Sequence, residues 1–421
     1  MKFLIICLIF LSATIEAKLK IEISQGSKDL AKIAIVPFND GKKTNTALSD
    51  LIEKNLTLFG EFKATPKNEM LSFPSSEDNF FYRDWNILKI DYAVIGKLEE
   101  KNNSEFYIEY FVFNVPLKKL ILRGDITGDV NELSQISKVI SNRTYKAITG
   151  LEGIFNTKLA YILNPQKEIY KICVSDIDGS NEQILFESTA PLMSPSWSSD
   201  YKKLAYVSFE KGYPEIYMQD LFSGKRESIK TLGLSNSAPV WSPDNKKLAF
   251  VMSMSGNPDI YIYNLRNKKI SRHTTHYGID TEPSWSPNSK KLLFTSNRSG
   301  SPQIYELTIS SNRIKRITLD GDYNARASYF PNGKDIVLVH GNNGIFHIGT
   351  KKIRSRFINT ISKTTLDESP TISPNGNIII YATKNNSQGY LAGLTLDGKS
   401  KFTLPTKFGS VREPAWSPLM N

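Results

Sequence analysis

Apolar and polar positions alternate with period two through most of the last two thirds of the chain, in short runs cut by Gly, Pro, Asn and Asp. Lys247-Leu248-Ala249-Phe250-Val251 is one such run; a Ser255-Gly256-Asn257-Pro258 loop and an aromatic-rich run, Asp259-Ile260-Tyr261-Ile262-Tyr263, follow it. Alternation over four to eight residues between turn formers predicts half-buried β-strands. Arg266-Asn267-Lys268-Lys269 predicts a hairpin turn into a fourth strand, Ile270 to Thr274.

This unit repeats. Pro-x-Trp-Ser anchors, followed by Pro in all but the first, place Trp197, Trp241, Trp285 and Trp416 in register with degenerate copies at Tyr329 and Ile372, at steps of 44, 44, 44, 43 and 44 residues. Four strands at this period describe a propeller blade. The sixth anchor ends the chain before its second and third strands, and Lys158–Ile162 and Glu168–Cys173 supply those strands with no anchor ahead of them. The two ends of residues 151–421 are therefore expected to build one blade together, closing a six-bladed ring and pairing its open edges. The tryptophans recur at one place per blade, which predicts packing between blades rather than a ligand cage.

Residues 18–150 lack the repeat and read as a separate α/β domain. Ala31–Val36 predicts a strand, and an apolar stripe from Leu48 to Phe59 predicts a helix stopped by Gly60. A shorter helix is expected around Glu77 to Leu88. Strands are expected at Tyr92–Gly96, Phe106–Phe113 and Leu120–Leu122, and a capping box at Asp129–Glu132 predicts a last helix ending at Gly150. Ahead of these, Lys18-Leu19-Lys20-Ile21-Glu22-Ile23 alternates at strand period, as an edge strand or a free arm would.

Met1-Lys2, an apolar run from Phe3 to Leu11 and a small-residue end at Ala17 predict a cleavable secretory signal over residues 1–17. Cys7 would leave with it, so Cys173 would be the only cysteine of the exported chain and could form no internal disulfide. The 53 Lys and Arg exceed the 42 Asp and Glu by 11. Nucleic acid is a poor account of that surplus in an exported protein whose cations do not interleave with an aromatic platform. The pairs Lys202-Lys203, Lys246-Lys247 and Lys290-Lys291 beside tight turns read as a solvated face, with attraction to anionic lipid or cell-wall polymer as the sharper option.

Catalytic signatures are missing from the sequence: no Gly-x-Ser-x-Gly elbow, His-Glu-x-x-His, P-loop or dinucleotide fingerprint occurs. His273 and His276 read as loop residues. No catalytic residue, metal or cofactor is expected. Strands of a blade run up and down, so the connection from a fourth strand to the next first strand shares a face with the second-to-third loops. The segments before each anchor differ from copy to copy on that face, as a recognition surface requires. They supply the candidate docking residues Met193, Ser194, Ser235, Ala238, Thr281, Glu282, Arg326, Glu368 and Arg412.

With Ile33–Phe38, Asp91–Gly96, Pro191-Leu192-Met193-Ser194-Pro195-Ser196-Trp197 and the Pro414–Pro418 ending in this order, the chain resembles the TolB family of the Tol-Pal envelope system. The resemblance implies a non-catalytic periplasmic scaffold, a monomer, that supports outer-membrane integrity and constriction during cell division. It implies docking of the peptidoglycan-associated lipoprotein, Pal, at the propeller mouth, with Ala238, Thr281 and Glu282 facing Pal by motif match. Peripheral association with the outer membrane would run through Pal. It further implies that the arm Lys18–Ile23 adds a strand to the C-terminal domain of TolA. Two positions depart from the family pattern: Ser235 stands where a histidine is usual shortly before the second anchor, and Arg326 where an acidic residue is usual. An exported propeller enzyme or glycan-binding module is the alternative reading.

Overall fold

A computed structural model describes residues 20–23, 30–39, 44–101, 105–231, 235–254, 256–385, 388–404 and 409–420. The expected signal sequence, and Lys18 and Leu19 of the arm, lie outside the described residues.

The N-terminal domain is built on a seven-stranded sheet. Tyr92–Glu100 is central, parallel to Ala31–Ile35 on one side and antiparallel to Glu105–Asn114 on the other, with Lys119–Asp129 beyond that. Alternation along Ala31–Ile35 sends Ile33 and Ile35 to one face, and Ala34 to the other with Val36 just beyond the strand. The first face packs under α1 (Thr46–Thr57) and α3 (Leu133–Thr149) and continues into the propeller; the second is closed by Met70, Phe80 and Trp85.

Helix ends follow the sequence in part. Gly60 and Gly150 adopt φ of 66° and 77°, and Gly150 donates to Lys146 O, which ends α3 as a left-handed cap. Of the expected capping box, Glu132 Oε2 accepts from Asp129 N at 3.4 Å, while Asp129 Oδ1 accepts from Asn131 N at 2.8 Å, one residue short of Glu132. These bonds close a 3-10 turn, Val130–Glu132, which then leads into α3. The helix expected over 77–88 is split into a 3-10 turn, Glu77–Asn79, and a short helix α2, Tyr82–Ile87. Phe80 breaks it: the ring stacks on Phe113 at 3.8 Å and holds its backbone extended, at φ −91° and ψ 111°.

Six antiparallel blades follow, as the anchor spacing predicts. Blades 1 to 5 begin with the strands Leu192–Trp197, Ser235–Trp241, Asp280–Trp285, Tyr323–Tyr329 and Glu368–Ile372. Blade 6 joins both ends of the domain: its innermost strand, Ser410–Trp416, pairs with Lys158–Asn164, Ala415 opposite Ala160 and Trp416 opposite Leu159. Ser417 Oγ accepts from Lys158 N at 2.9 Å, and Trp416 Nε1 donates to Thr157 Oγ1 at 2.8 Å.

The anchor tryptophans are buried between blades. Trp197 donates to Ala415 O at 2.9 Å and Trp285 to Val240 O at 3.1 Å, each reaching the first strand of the preceding blade. The Ser-Pro-Asp turns recur because the serine closes them twice. Ser242 Oγ donates to Asp244 Oδ1 at 2.6 Å and accepts from Lys247 N at 2.9 Å, and Ser198 and Ser286 repeat the pattern. Cys173 is buried, and burial pushes its thiol up to about 12, which keeps it a protonated core residue.

The arm pairs with the propeller. Lys20–Ile23 runs antiparallel to the outermost strand of blade 5, Lys20 opposite Thr403 and Ile23 opposite Ser400, as a fifth strand of that sheet. The two domains also share one apolar core, in which Phe59 lies 5.2 Å from the Phe402 ring and 6.3 Å from Trp416. Lys54 pairs with Asp178 at 2.6 Å, Lys138 with Asp176 at 2.7 Å, and Asn377 donates to Glu61 at 2.6 Å. These propeller residues belong to first-to-second and third-to-fourth turns, so the N-terminal domain covers the face opposite the variable segments.

Candidate docking face at the propeller mouth

The six innermost strands line a central channel of about 750 Å³. Each carries a β-bulge three residues before its anchor, and the bulged residue has positive φ: Ser194 54°, Ala238 47°, Glu282 55°, Arg326 51°, Ser369 53° and Glu413 51°. None is glycine. Left-handed backbone at a non-glycine residue costs about 1–3 kcal/mol, and such strain persists only where the surroundings over-determine it. The bulge turns each of the six side chains toward the channel.

That ring is wired between blades. Arg326 Nε donates to Glu282 Oε1 at 2.8 Å and its backbone N to Glu282 Oε2 at 3.0 Å, while Nη1 reaches Ser369 Oγ. Thr295 Oγ1 donates to Glu282 Oε2 at 2.8 Å, and Ser194 N to Glu413 Oε2 at 2.5 Å. Burial works against the Arg326 charge, but the carboxylates of Glu282, Glu413 and Glu368 outweigh it and raise its pKa. Arg326, where the family pattern has an acid, thus stands among three carboxylates as their shared counter-charge.

Of the residues singled out from the sequence, Met193, Ser194, Ser235, Ala238, Thr281, Glu282 and Arg326 line this channel together. Glu368 and Arg412 stand one residue ahead of the ring positions in blades 5 and 6 and outside the channel lining; Arg412 lies over the Tyr170 ring at 5.8 Å. Ser369 and Glu413 occupy the ring instead. Constant distance from the anchor was the signal that identifies them. Of the arm residues, Lys20, Ile21, Glu22 and Ile23 form the strand on blade 5, remote from the channel lining.

Sequence reading also passed over the rim. Tyr213 and Met254 in second-to-third loops, and Tyr277, Ile279, Leu319 and Leu366 in the blade-to-blade connections, are exposed, Tyr277 by 86%. All six fall on the mouth face, in loops where turn chemistry expects polar residues. The histidines beside them serve the loops: His273 Nδ1 contacts Asn312 Oδ1 at 2.9 Å and His276 Nδ1 accepts from Gly278 N at 2.9 Å. Among the described residues no three His, Cys, Asp or Glu side chains gather as a metal site, and no helix is long and apolar enough to cross a membrane.

Comparison with known proteins agrees with this architecture. Residues 145–420 match the TolB beta propeller domain and residues 19–121 the TolB amino-terminal domain. Two relatives named Tol-Pal system protein TolB are 52% identical, from Marinomonas sp. (98% of this chain, 96% of the relative), and 50% identical, from Hahella chejuensis (98% of each). The crystal structure of TolB from Acinetobacter baumannii superposes with a TM-score of 0.87 at 36% identity, covering 96% of this chain and all of that one. With both domains matched in order and half the residues shared over nearly the full length, the chain belongs to the TolB family, non-catalytic scaffold proteins of the Tol-Pal system.

Proposed function

We propose that this protein is a periplasmic scaffold that docks the lipoprotein Pal on its propeller mouth and offers its N-terminal arm to TolA. The observation that carries the reading is the rim of exposed apolar side chains, Tyr213, Met254, Tyr277, Ile279, Leu319 and Leu366, around a channel entrance lined by strained residues. Exposed apolar groups gathered on one face of a soluble domain mark a protein-binding surface, and aromatic residues dominate the energetics of such surfaces. The N-terminal domain covers part of the opposite face, through the contacts of Lys54 with Asp178, Lys138 with Asp176 and Glu61 with Asn377, and, among the described residues, none of the mouth rim.

Antiparallel pairing of Lys20–Ile23 with blade 5 supports the second half of the reading, since a segment that adds to one sheet edge has the sequence to add to another. TolA would take the arm in exchange for its place on blade 5. Through Pal the protein would be held at the outer membrane and contribute to its integrity and to constriction at division. Capture from an envelope extract tests the proposal: Pal among the retained proteins supports it, and retention of TolA without Pal contradicts the assignment of the mouth.

A further inference from the structure

Blades 4 and 5 part on the face away from the mouth. They leave a second cavity of about 770 Å³, walled in part by Leu151, Phe330, Lys351, Phe357 and Leu396. That size suits a small organic ligand. Leu151 follows α3 in the link between domains, Lys351 lies on the third strand of blade 4, Phe357 in the turn after it, and Leu396 in the matching turn of blade 5.

Lys351 is only 3% exposed, and its Nζ donates to the carbonyls of Lys352, at 3.2 Å, and Ser355. Carbonyls take up two of the three ammonium protons but do not neutralise the charge, and buried charges are ordinarily paired. Among the described residues no carboxylate forms an ion pair with Lys351, and the charge that bears on it is the like charge of Lys315. Lys352, Arg354 and Arg356 add three exposed cations along the same strand and turn.

Three other polar groups in the wall are engaged. Asp335 accepts from Asn332 Nδ2 at 2.7 Å, Asn375 donates to Glu152 O at 2.9 Å, and Asn377 is held by Glu61. Against the single carboxylate of Asp335, the wall and its turn set Lys351, Lys352, Arg354 and Arg356, so a ligand meets net positive charge at one end and apolar surface at the other. Phe357 is 78% exposed and Leu396 and Leu151 about 40% and 38%, large apolar groups that the fold does not cover.

We propose that this cavity binds a single-chain organic anion, with its carboxylate on Lys351 and its apolar body between Phe357, Leu396 and Leu151. The site is separate from the mouth and does not depend on what docks there. Burial, and to a lesser degree Lys315, lowers the Lys351 pKa, and the opposite charge of a bound carboxylate would act against both.

The experiment is calorimetric titration of the full exported chain with dodecanoate below its micellar concentration, with dodecanol as the neutral comparison. Dodecanoate is expected to bind, and Lys351→Met to weaken it roughly 10-fold or more, the range for loss of a charge-assisted hydrogen bond, while dodecanol is unaffected. Because Phe357 is exposed, Phe357→Glu tests the site without disturbing the core; it should also abolish dodecanoate binding. No heat with the wild-type chain, or equal affinity in Phe357→Glu, overturns the proposal. Phosphatidylglycerol vesicles are titrated in parallel: retention on vesicles without any response to monomeric dodecanoate assigns the cations to a membrane surface and overturns the cavity site.

Discussion

Arg326 donates to both carboxylate oxygens of Glu282 across 44 residues of sequence, and the two occupy the same left-handed position in consecutive blades. The pair joins blade 3 to blade 4 at the channel wall, and Arg326 extends the link to Ser369 in blade 5. The Arg326 side chain is 36% exposed and the Glu282 side chain 24%, so solvent screens part of the attraction. Arg326→Met, which keeps the aliphatic length, is expected to cost about 1 kcal/mol of stability in urea denaturation. An unchanged midpoint would show that the pair contributes nothing to blade cohesion.

Strain at the ring has a signature of its own. Ala238 holds φ at 47°, next to Pro239, with no side-chain hydrogen bond to compensate. Ala238→Gly removes the steric penalty at the expense of some extra freedom in the unfolded chain, and is expected to stabilise by about 0.5–1 kcal/mol. Ala238→Val should destabilise. Thermal midpoints of the two variants must lie on opposite sides of wild type; both falling on one side contradicts the strain account.

A buried and a half-buried carboxylate between the domains, Asp176 and Glu61, respond to pH with opposite signs. Burial would raise the Asp176 pKa, but its bonds to Lys138, Lys158 and Asn181 prevail and hold it below the usual 3.8. Its stabilisation is present above that pH and is lost as pH falls through the folded value. Glu61 is raised above 4.5, chiefly by burial, with Tyr145 and Asn377 opposing, so the folded state loses stability as pH rises through its folded pKa. Across a pH series of urea denaturations, Asp176→Asn should lose most near neutrality and converge on wild type in acid. Glu61→Gln should gain on wild type as pH rises above 4.5. Parallel profiles would contradict both assignments.

The propeller was legible because one turn imposes one chemistry: a serine that caps its neighbour and accepts from the next strand recurs at fixed spacing, and the tryptophan before it must fit between blades. The split around Phe80 was not legible, since the helical pattern of 77–88 ignores a ring stacked on Phe113 from another strand. Nor was the left-handed ring. Ser, Ala, Glu, Arg, Ser and Glu share no backbone preference, and a bulge paired across strands imposes the conformation on whichever residue stands there. Variation between copies singles out Glu368 and Arg412, whereas a constant distance from the anchor places Ser369 and Glu413 in the ring. The apolar rim went unread because alternation identifies strands, and Tyr277 and Leu319 lie between them.

The arm separates from the scaffold in a simple experiment. Removing residues 18–25 takes away the strand on blade 5 and leaves all six blades their own four strands. The truncated chain is expected to keep the melting transition of the propeller and to lose binding to the C-terminal domain of TolA. Undiminished TolA affinity would reject the arm as the binding segment.

The mouth is tested most directly by the affinity of the soluble domain of Pal for the chain with Tyr277→Asp or Leu319→Asp, measured by calorimetry. Both side chains are exposed, so the fold should hold, with melting transitions at the wild-type position. Each substitution buries a carboxylate against the partner and is expected to weaken Pal binding about 10-fold or more. Wild-type affinity in both variants would contradict docking at this face.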